Sequence, residues 1–299
     1  MKYRILGRTG LEVSVVGLGT YQFGGRWAKS FTQAEVDEII EAARETGINL
    51  IDTAECYGDH VSERLIGSAI KRDRDSWILA TKFGHRRISF EVQEHHWKPE
   101  EVRLQLEESL KSLKTDYVDL YQFHSGSNEV FDNDELWTML DKQVRAGKVR
   151  FLGISVSTRS PEWRIHQAEN ALKVGASVIQ VVYNRLERKA EGEVFPICKR
   201  DNLGVLARVP LASGLLSGKY GPGYRFPEND VRSRNIKVED LDRMLAEVEE
   251  IKEKELPEGV SMPVWALSWI LKNPIVSATI PGAKNAQYVR ENARVADIL

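Results

Sequence analysis

The chain has 299 residues, of which 42% are hydrophobic, so it can bury a sizeable core, and 42 Lys+Arg against 44 Asp+Glu leave no charge excess for nucleic acid or an anionic membrane. Its two cysteines, Cys56 and Cys198, are far apart, form no metal-spaced cluster and no disulfide framework, and suit a reducing compartment. The N-terminus lacks the apolar stretch of a secretion signal and no run is long enough to span a bilayer, so a cytoplasmic protein is expected.

From the N-terminus onward, short apolar runs alternate with helical patterns. Residues 1–12 carry turn signals at Gly7 and Gly10 and read as a small hairpin at the bottom of the fold. Val13 to Leu18 is the first β run, ending in Gly17-Leu18-Gly19-Thr20. A helix opens at Thr32 with Glu35 three residues on, a capping box, and Gly47 ends it. Its apolar positions Val36, Ile39, Ile40 and Ala43 share one helical face. The next run, Ile48 to Ile51, closes on Asp52, and a helix follows from Ser62 to Ile70. Trp77 to Thr81 closes on Lys82. Pro99 opens the helix that carries Val102, Leu106, Leu110 and Leu113. Tyr117 to Phe123 closes on His124.

The second half repeats the rhythm. A helix near 134–146 leads to the strand Val149 to Ile154, ending in Ser155, and a helix near 161–174 leads to Val178 to Tyr183 with Gln180 inside it. A helix near 193–200 leads to Val205 to Arg208. Residues 209–235 read as a long loop, followed by helices near 239–255 and 263–272, the strand Ile275 to Ile280, and a last helix from Asn285. Eight Val-, Ile- and Leu-rich β runs separated mostly by single helices predict a (β/α)₈ TIM barrel, one domain over residues 1–299. An open doubly wound sheet is the alternative. It is disfavoured because Gly17-Leu18-Gly19 lacks the third glycine of a dinucleotide fingerprint.

In such a barrel the strand ends meet on one face, so Asp52, Tyr57, Lys82 and His124 gather there. An ammonium from Lys82 beside Tyr57 favours the phenolate and lowers its pKa, with Asp52 fixing Lys82 and His124 orienting a substrate oxygen. Such a phenol can protonate an oxygen that gains charge, as carbonyl reduction requires. Singly, each of these residues is more often a cap or packing element; their convergence on one face favours chemistry, and Ser155, Gln180 and Arg208 add further polar strand ends. His95 and His96 are adjacent and read as a solvated loop pair, and His60, His85 and His166 have no clear partners. Metal-assisted hydrolysis therefore lacks its expected ligands, and no metal is expected. Trp27 and Trp97 are placed as pocket-lining residues, Trp163 and Trp269 as core.

The segments Gly17 to Tyr21, Asn49-Leu50-Ile51-Asp52-Thr53-Ala54-Glu55-Cys56-Tyr57-Gly58, Ala80-Thr81-Lys82-Phe83-Gly84, Thr115 to His124, Gly153-Ile154-Ser155 and Ile280-Pro281-Gly282-Ala283-Lys284 together resemble the aldo-keto reductase superfamily, nearly end to end. The resemblance implies that Tyr57 is the general acid, partnered by Asp52 and Lys82, with His124 orienting the carbonyl. It also implies an extended nicotinamide dinucleotide, NADPH with NADH as the alternative, and a small carbonyl substrate. Thr20, Tyr21 and Asp52 would lie near the nicotinamide and its ribose, and Ser155 and Gln180 at the carboxamide. Arg208, Pro210, Leu211 and Ser213 would follow the cofactor toward the pyrophosphate, with Lys219 at a phosphate. Gly282, Lys284, Tyr288, Glu291 and Asn292 would meet the adenosine end.

Three departures stand out. Arg208 replaces the aromatic residue that usually stacks on the nicotinamide, as in some bacterial branches. Tyr288 stands where Gln or Arg often lies near the adenine ribose phosphate, leaving Lys284 as the cation there. The chain stops at Leu299, whereas relatives usually continue into a segment that closes over the substrate. Within the same fold the rival role is a nicotinamide-binding regulatory subunit, as in potassium-channel β subunits; those commonly have Asn at the position of His124. The third is an alcohol or sugar dehydrogenase running the same reversible chemistry backwards.

Overall fold

The structure, a computed structural model, describes residues 1–25, 29–87 and 93–299. Trp27 lies outside the described residues. Eight parallel strands form one sheet: Leu18–Gly19, Leu50–Asp52, Ile78–Phe83, Val118–His124, Val149–Ser155, Ala176–Val182, Gly204–Arg208 and Ala278–Thr279, each beside its neighbours in chain order. Parallel bridges Val16↔Thr279 and Gly19↔Gly282 join the first strand to the last, and the Gly17 amide donates to the Thr279 carbonyl at 2.8 Å. The sheet thus closes into a (β/α)₈ barrel, with no free edge between its first and last strands.

Local chemistry explains the helices that space these strands. Thr32 Oγ1 accepts from the Glu35 amide while the Glu35 carboxylate accepts from the Thr32 amide, the reciprocal box the sequence predicts. Val36, Ile39, Ile40 and Ala43 are buried on one face of the helix Gln33–Glu45, and Gly47 follows it at φ +77°. Asn133 and Ser160 cap the helices Asp134–Arg145 and Pro161–Glu169 through their side chains, and Asn285 caps Ala286–Ala293.

Elements at both ends of the chain and in two loops differ from the sequence expectation. The run Val13 to Leu18 is divided: Glu12–Ser14 pairs antiparallel with Tyr3–Ile5, and only Leu18–Gly19 enters the barrel. Leu6, Leu11 and Val13 then pack with Leu50, Ile78, Leu120, Val178 and Leu206, so this hairpin plugs the barrel floor. The last strand is Ala278–Thr279, shorter than Ile275 to Ile280, because its neighbour pairs only through Leu206 and Ala207. A second hairpin, His85–Arg87 with Gln93–His95, is absent from the sequence reading. It springs from Gly84, whose φ is +107° and where a Cβ would meet the Trp97 ring at 1.8 Å; only glycine fits. The loop 209–235 carries a 3₁₀ segment, Ala212–Ser217, and a short helix, Arg232–Asn235. Among the described residues no helix is long and apolar enough to cross a membrane.

Candidate active site

Asp52, Lys82 and His124 lie at the C-terminal ends of three consecutive strands, and Tyr57 follows in the turn after the first of them. Lys82 is fully buried; its Nζ donates to Asp52 Oδ2 at 2.7 Å, to the Thr53 carbonyl at 2.7 Å and to the Tyr57 hydroxyl at 3.2 Å. Asp52 Oδ1 accepts from Gln180 Nε2 at 2.7 Å and from Gln122 Nε2 at 3.1 Å. Both carboxylate oxygens are thus satisfied, the condition for keeping a buried charge. The His124 ring stands edge-on to Tyr57 at 6.3 Å between centroids. The four predicted residues meet as expected.

Their electrostatics differ from the sequence expectation in one respect. Tyr57 is held well above a free phenol, first by burial and then by the Asp52 charge; Arg208 opposes this. Lys82 does not make the phenol acidic here, because its charge is matched by Asp52 at 2.7 Å. Tyr57 therefore keeps its proton in the resting protein. Burial, and then the nearby His85, Lys82 and Arg208 charges, hold His124 well below an ordinary imidazole. A neutral imidazole carries one N–H to donate.

Gln122 escaped the sequence reading, although it lies two residues before His124 and so on the same strand face. Its Oε1 accepts from Gln180 at 3.0 Å. Gln180, implied as a carboxamide ligand, is in this structure committed to Asp52 and Gln122. The other histidines also acquire partners. His85 Nδ1 is 2.9 Å from His95 Nδ1, so His95 belongs to a hairpin rather than a solvated loop. His166 Nε2 lies 2.7 Å from Asp132 and His60 pairs with Glu63. Trp97 does not line the cavity; it packs behind it on Phe83, Phe123 and His85. Trp269 packs on the core against Tyr183, whereas Trp163 is only half-buried. Glu55, next to the tetrad, is fully enclosed, and burial with the Glu63 charge pushes its carboxyl up to about 8.

From this centre a cavity of about 740 Å³ runs along the barrel rim to the last helix. It is lined by Thr20, Tyr21, Asp52, Tyr57, His124, Gln180 and Arg208 at one end, then Pro210, Leu211, Ser213 and Lys219. Gly282, Lys284, Tyr288, Glu291 and Asn292 line the far end. Of the catalytic and cofactor residues named from sequence, Lys82 and Ser155 are absent from the lining, both being fully buried behind it. Val209, Ala212 and Ser213 all take positive φ, of 54°, 47° and 58°, which is strained for residues with a Cβ and rare for valine. Asn184 Nδ2 holds the Val209 carbonyl at 3.0 Å.

The far end is cationic. Lys284 is pulled down by burial and then by Arg232, with Lys29 and Lys219 adding to the repulsion and Asp230 opposing it. Arg232, missed in a stretch read as loop, is tied to Asp230 at 2.6 Å and donates to the Ser213 carbonyl at 2.9 Å. Lys219 lies 3.9 Å over the Tyr288 ring.

A parallel barrel with an Asp–Lys–Tyr–His cluster at the mouth of a long groove is an arrangement that fits an oxidoreductase. The chain belongs to the aldo/keto reductase family, whose family model matches residues 15–299. Among curated relatives, the aldo-keto reductase YhdN of Bacillus subtilis is 34% identical, over 95% of this chain and 85% of its own length. The NADH-specific methylglyoxal reductase of Escherichia coli is 30% identical, over 100% of this chain and 94% of its own length. Among solved structures, glycerol dehydrogenase AKR11B4 from Gluconobacter oxydans has a TM-score of 0.83 at 29% identity, covering 98% of this chain and 89% of that one. The holo form of AKR11C1 from Bacillus halodurans gives 0.81 at 28%, covering 99% and 91%.

Proposed function

We propose that the chain reduces a small aldehyde or ketone to an alcohol, using a nicotinamide dinucleotide as hydride donor and Tyr57 as proton donor. The carrying observation is the Lys82 ammonium, placed within hydrogen-bond reach of both Asp52 and the Tyr57 hydroxyl. The residues present fit the cofactor. Arg208 and Ser217 line the cavity, and Arg208 Nε and Ser217 Oγ are buried with no hydrogen-bond partner among the described residues, which is costly unless a ligand supplies one.

When bound, a reduced nicotinamide supplies the hydride. Tyr57 and the neutral imidazole of His124 hold the carbonyl oxygen. As charge grows on that oxygen, the Tyr57 hydroxyl releases its proton to it. The phenolate left behind faces Lys82 Nζ, whose charge Asp52 keeps in place. Gln122 and Gln180 fix the Asp52 carboxylate from the other side. Arg208 closes the groove floor, its guanidinium donating to the Val156 carbonyl at 3.2 Å. A planar cation there suits a stacked ring or a pyrophosphate.

For the cofactor we favour NADPH, because Lys284, Arg232, Lys29 and Lys219 crowd one end of the groove and an extra phosphate relieves their repulsion. The NADH-specific relative in Escherichia coli makes NADH the competing reading. The retained His124 supports turnover over a purely regulatory nicotinamide-binding role. A cytoplasmic setting, where reduced cofactor is supplied, fits this reading.

The test is cofactor oxidation, followed by absorbance, against a panel of small aldehydes, ketones and dicarbonyls, with alcohols and oxidised cofactor for the reverse direction. Turnover with at least one carbonyl is expected. No turnover with any, in either direction, would sink the proposal.

A further inference from the structure

One side-chain cluster beside the tetrad is not used by carbonyl reduction. Glu55, Cys56 and His124 each bring one ligand-type atom to a common point, no two of these atoms being more than 4.8 Å apart. Cys56 Sγ is 3.7 Å from His124 Nδ1. In a tetrahedral zinc centre the bond lengths place a sulfur and a nitrogen ligand roughly 3.6 Å apart, and shifts of about 1 Å would bring the wider pairs to bonding separation. Glu55 is 2% exposed, and its Oε2 is buried without a hydrogen-bond partner among the described residues, although Oε1 accepts from the His85 amide at 3.0 Å. A buried carboxylate oxygen of this kind is expected to have a partner.

We propose that Glu55, Cys56 and His124 form a binding site for a thiophilic divalent cation such as Zn²⁺ at the wall of the catalytic cavity. One carboxylate, one thiolate and one imidazole match the donor types zinc accepts, and the two anions neutralise its charge. On binding, the Cys56 thiol and the buried Glu55 carboxyl each release their proton to solvent through the cavity, and the Sγ–Zn bond replaces the contact with His124. Cys56 and His124 line the cavity whereas Glu55 does not, so the cation is reached from the substrate side. Three protein ligands leave a fourth position for water or an exogenous ligand. Occupancy would take the Nδ1 lone pair of His124 and fill space beside Tyr57. The site is therefore inhibitory toward the chemistry proposed above. The binding itself does not depend on that reading.

The experiment titrates the cofactor-free chain with Co²⁺ as a spectroscopic probe, and with Zn²⁺ against a chromophoric chelator. The expected result is one equivalent bound, with a thiolate-to-cobalt charge-transfer band in the near ultraviolet that Zn²⁺ abolishes. Cys56→Ser removes the band and weakens Zn²⁺ binding at least tenfold, whereas Cys198→Ser keeps both. Glu55→Gln keeps the band and weakens binding. On the unmodified chain, Zn²⁺ slows alkylation of Cys56, read by peptide mass spectrometry, so the result does not depend on any variant folding. Absence of the band, its survival in Cys56→Ser, or unchanged alkylation of Cys56 overturns the proposal and leaves a thiol–imidazole hydrogen bond. Each of these readouts is independent of turnover, so a chain that reduced no carbonyl could still bind the metal, and the reverse.

Discussion

Lys82 Nζ lies 2.7 Å from Asp52 Oδ2, and the two side chains are only 1% and 5% exposed. A buried pair of this kind is costly to break from one side, because the remaining charge has no solvent. Lys82→Met should cost about 3–5 kcal/mol of stability, chiefly from the stranded carboxylate. Turnover should fall about 10²–10⁴-fold with the general acid's partner gone. Chemical denaturation alongside steady-state kinetics checks both. A variant as stable as the parent would show that Asp52 does not need Lys82.

Tyr57→Phe separates chemistry from fold. Lys82 keeps Asp52 and the Thr53 carbonyl as acceptors, so stability should change by no more than about 1 kcal/mol. Carbonyl reduction should drop about 10²–10⁴-fold, while nicotinamide binding, followed by fluorescence titration, stays within about twofold. Equal losses in binding and turnover would remove Tyr57 from the proton-donor role.

His60 gives a pH signature away from the cavity. Burial lowers its pKa, but the facing carboxylates of Glu63, Glu55 and Glu108 outweigh this, and the net direction is upward from 6.5. A folded value above the unfolded one means that the folded state holds the proton more tightly. The stabilisation is complete below pH 6.5 and is lost as pH rises through the raised folded value. The melting-temperature advantage of the parent over His60→Gln should therefore shrink from pH 6 to pH 8.5. An advantage that grows with pH would reverse the assignment.

Lys284 should set the cofactor preference. Its neighbours Arg232, Lys29 and Lys219 are all cationic, so an added phosphate gains from several charges and removing one weakens the whole set. Lys284→Ala should raise the Kd for NADPH about tenfold and that for NADH less than twofold, with a shallower salt dependence for NADPH. Equal effects on both cofactors would place the extra phosphate elsewhere.

Much of this was legible in one dimension. Apolar runs alternating with amphipathic patterns determine the eight strands and their helices, because burial of both sheet faces demands that composition. The capping box at Thr32 and Glu35 is a local event, and it forms as read. The tetrad was legible because each member ends a recognisable strand or follows one closely. What escaped lies where tertiary contacts overrule local pattern. Val13 to Leu18 reads as one strand, yet Leu6, Leu11 and Val13 find a better apolar partner in the barrel floor, so the run divides. Arg232 sits in a stretch with no period to follow.

The sequence by itself determined the barrel, the four residues at its rim and the absence of any large charge excess. Tertiary structure decided the protonation states. Tyr57 is held protonated and His124 neutral by burial and by charges from distant strands, which no spacing in the chain encodes. It also decided that Cys56 meets His124, 68 residues away, with the buried Glu55 carboxylate beside them. Spacing rules find groups that share a helix or a turn, as Glu55 and Cys56 do; barrel closure alone brings His124 to them from another strand.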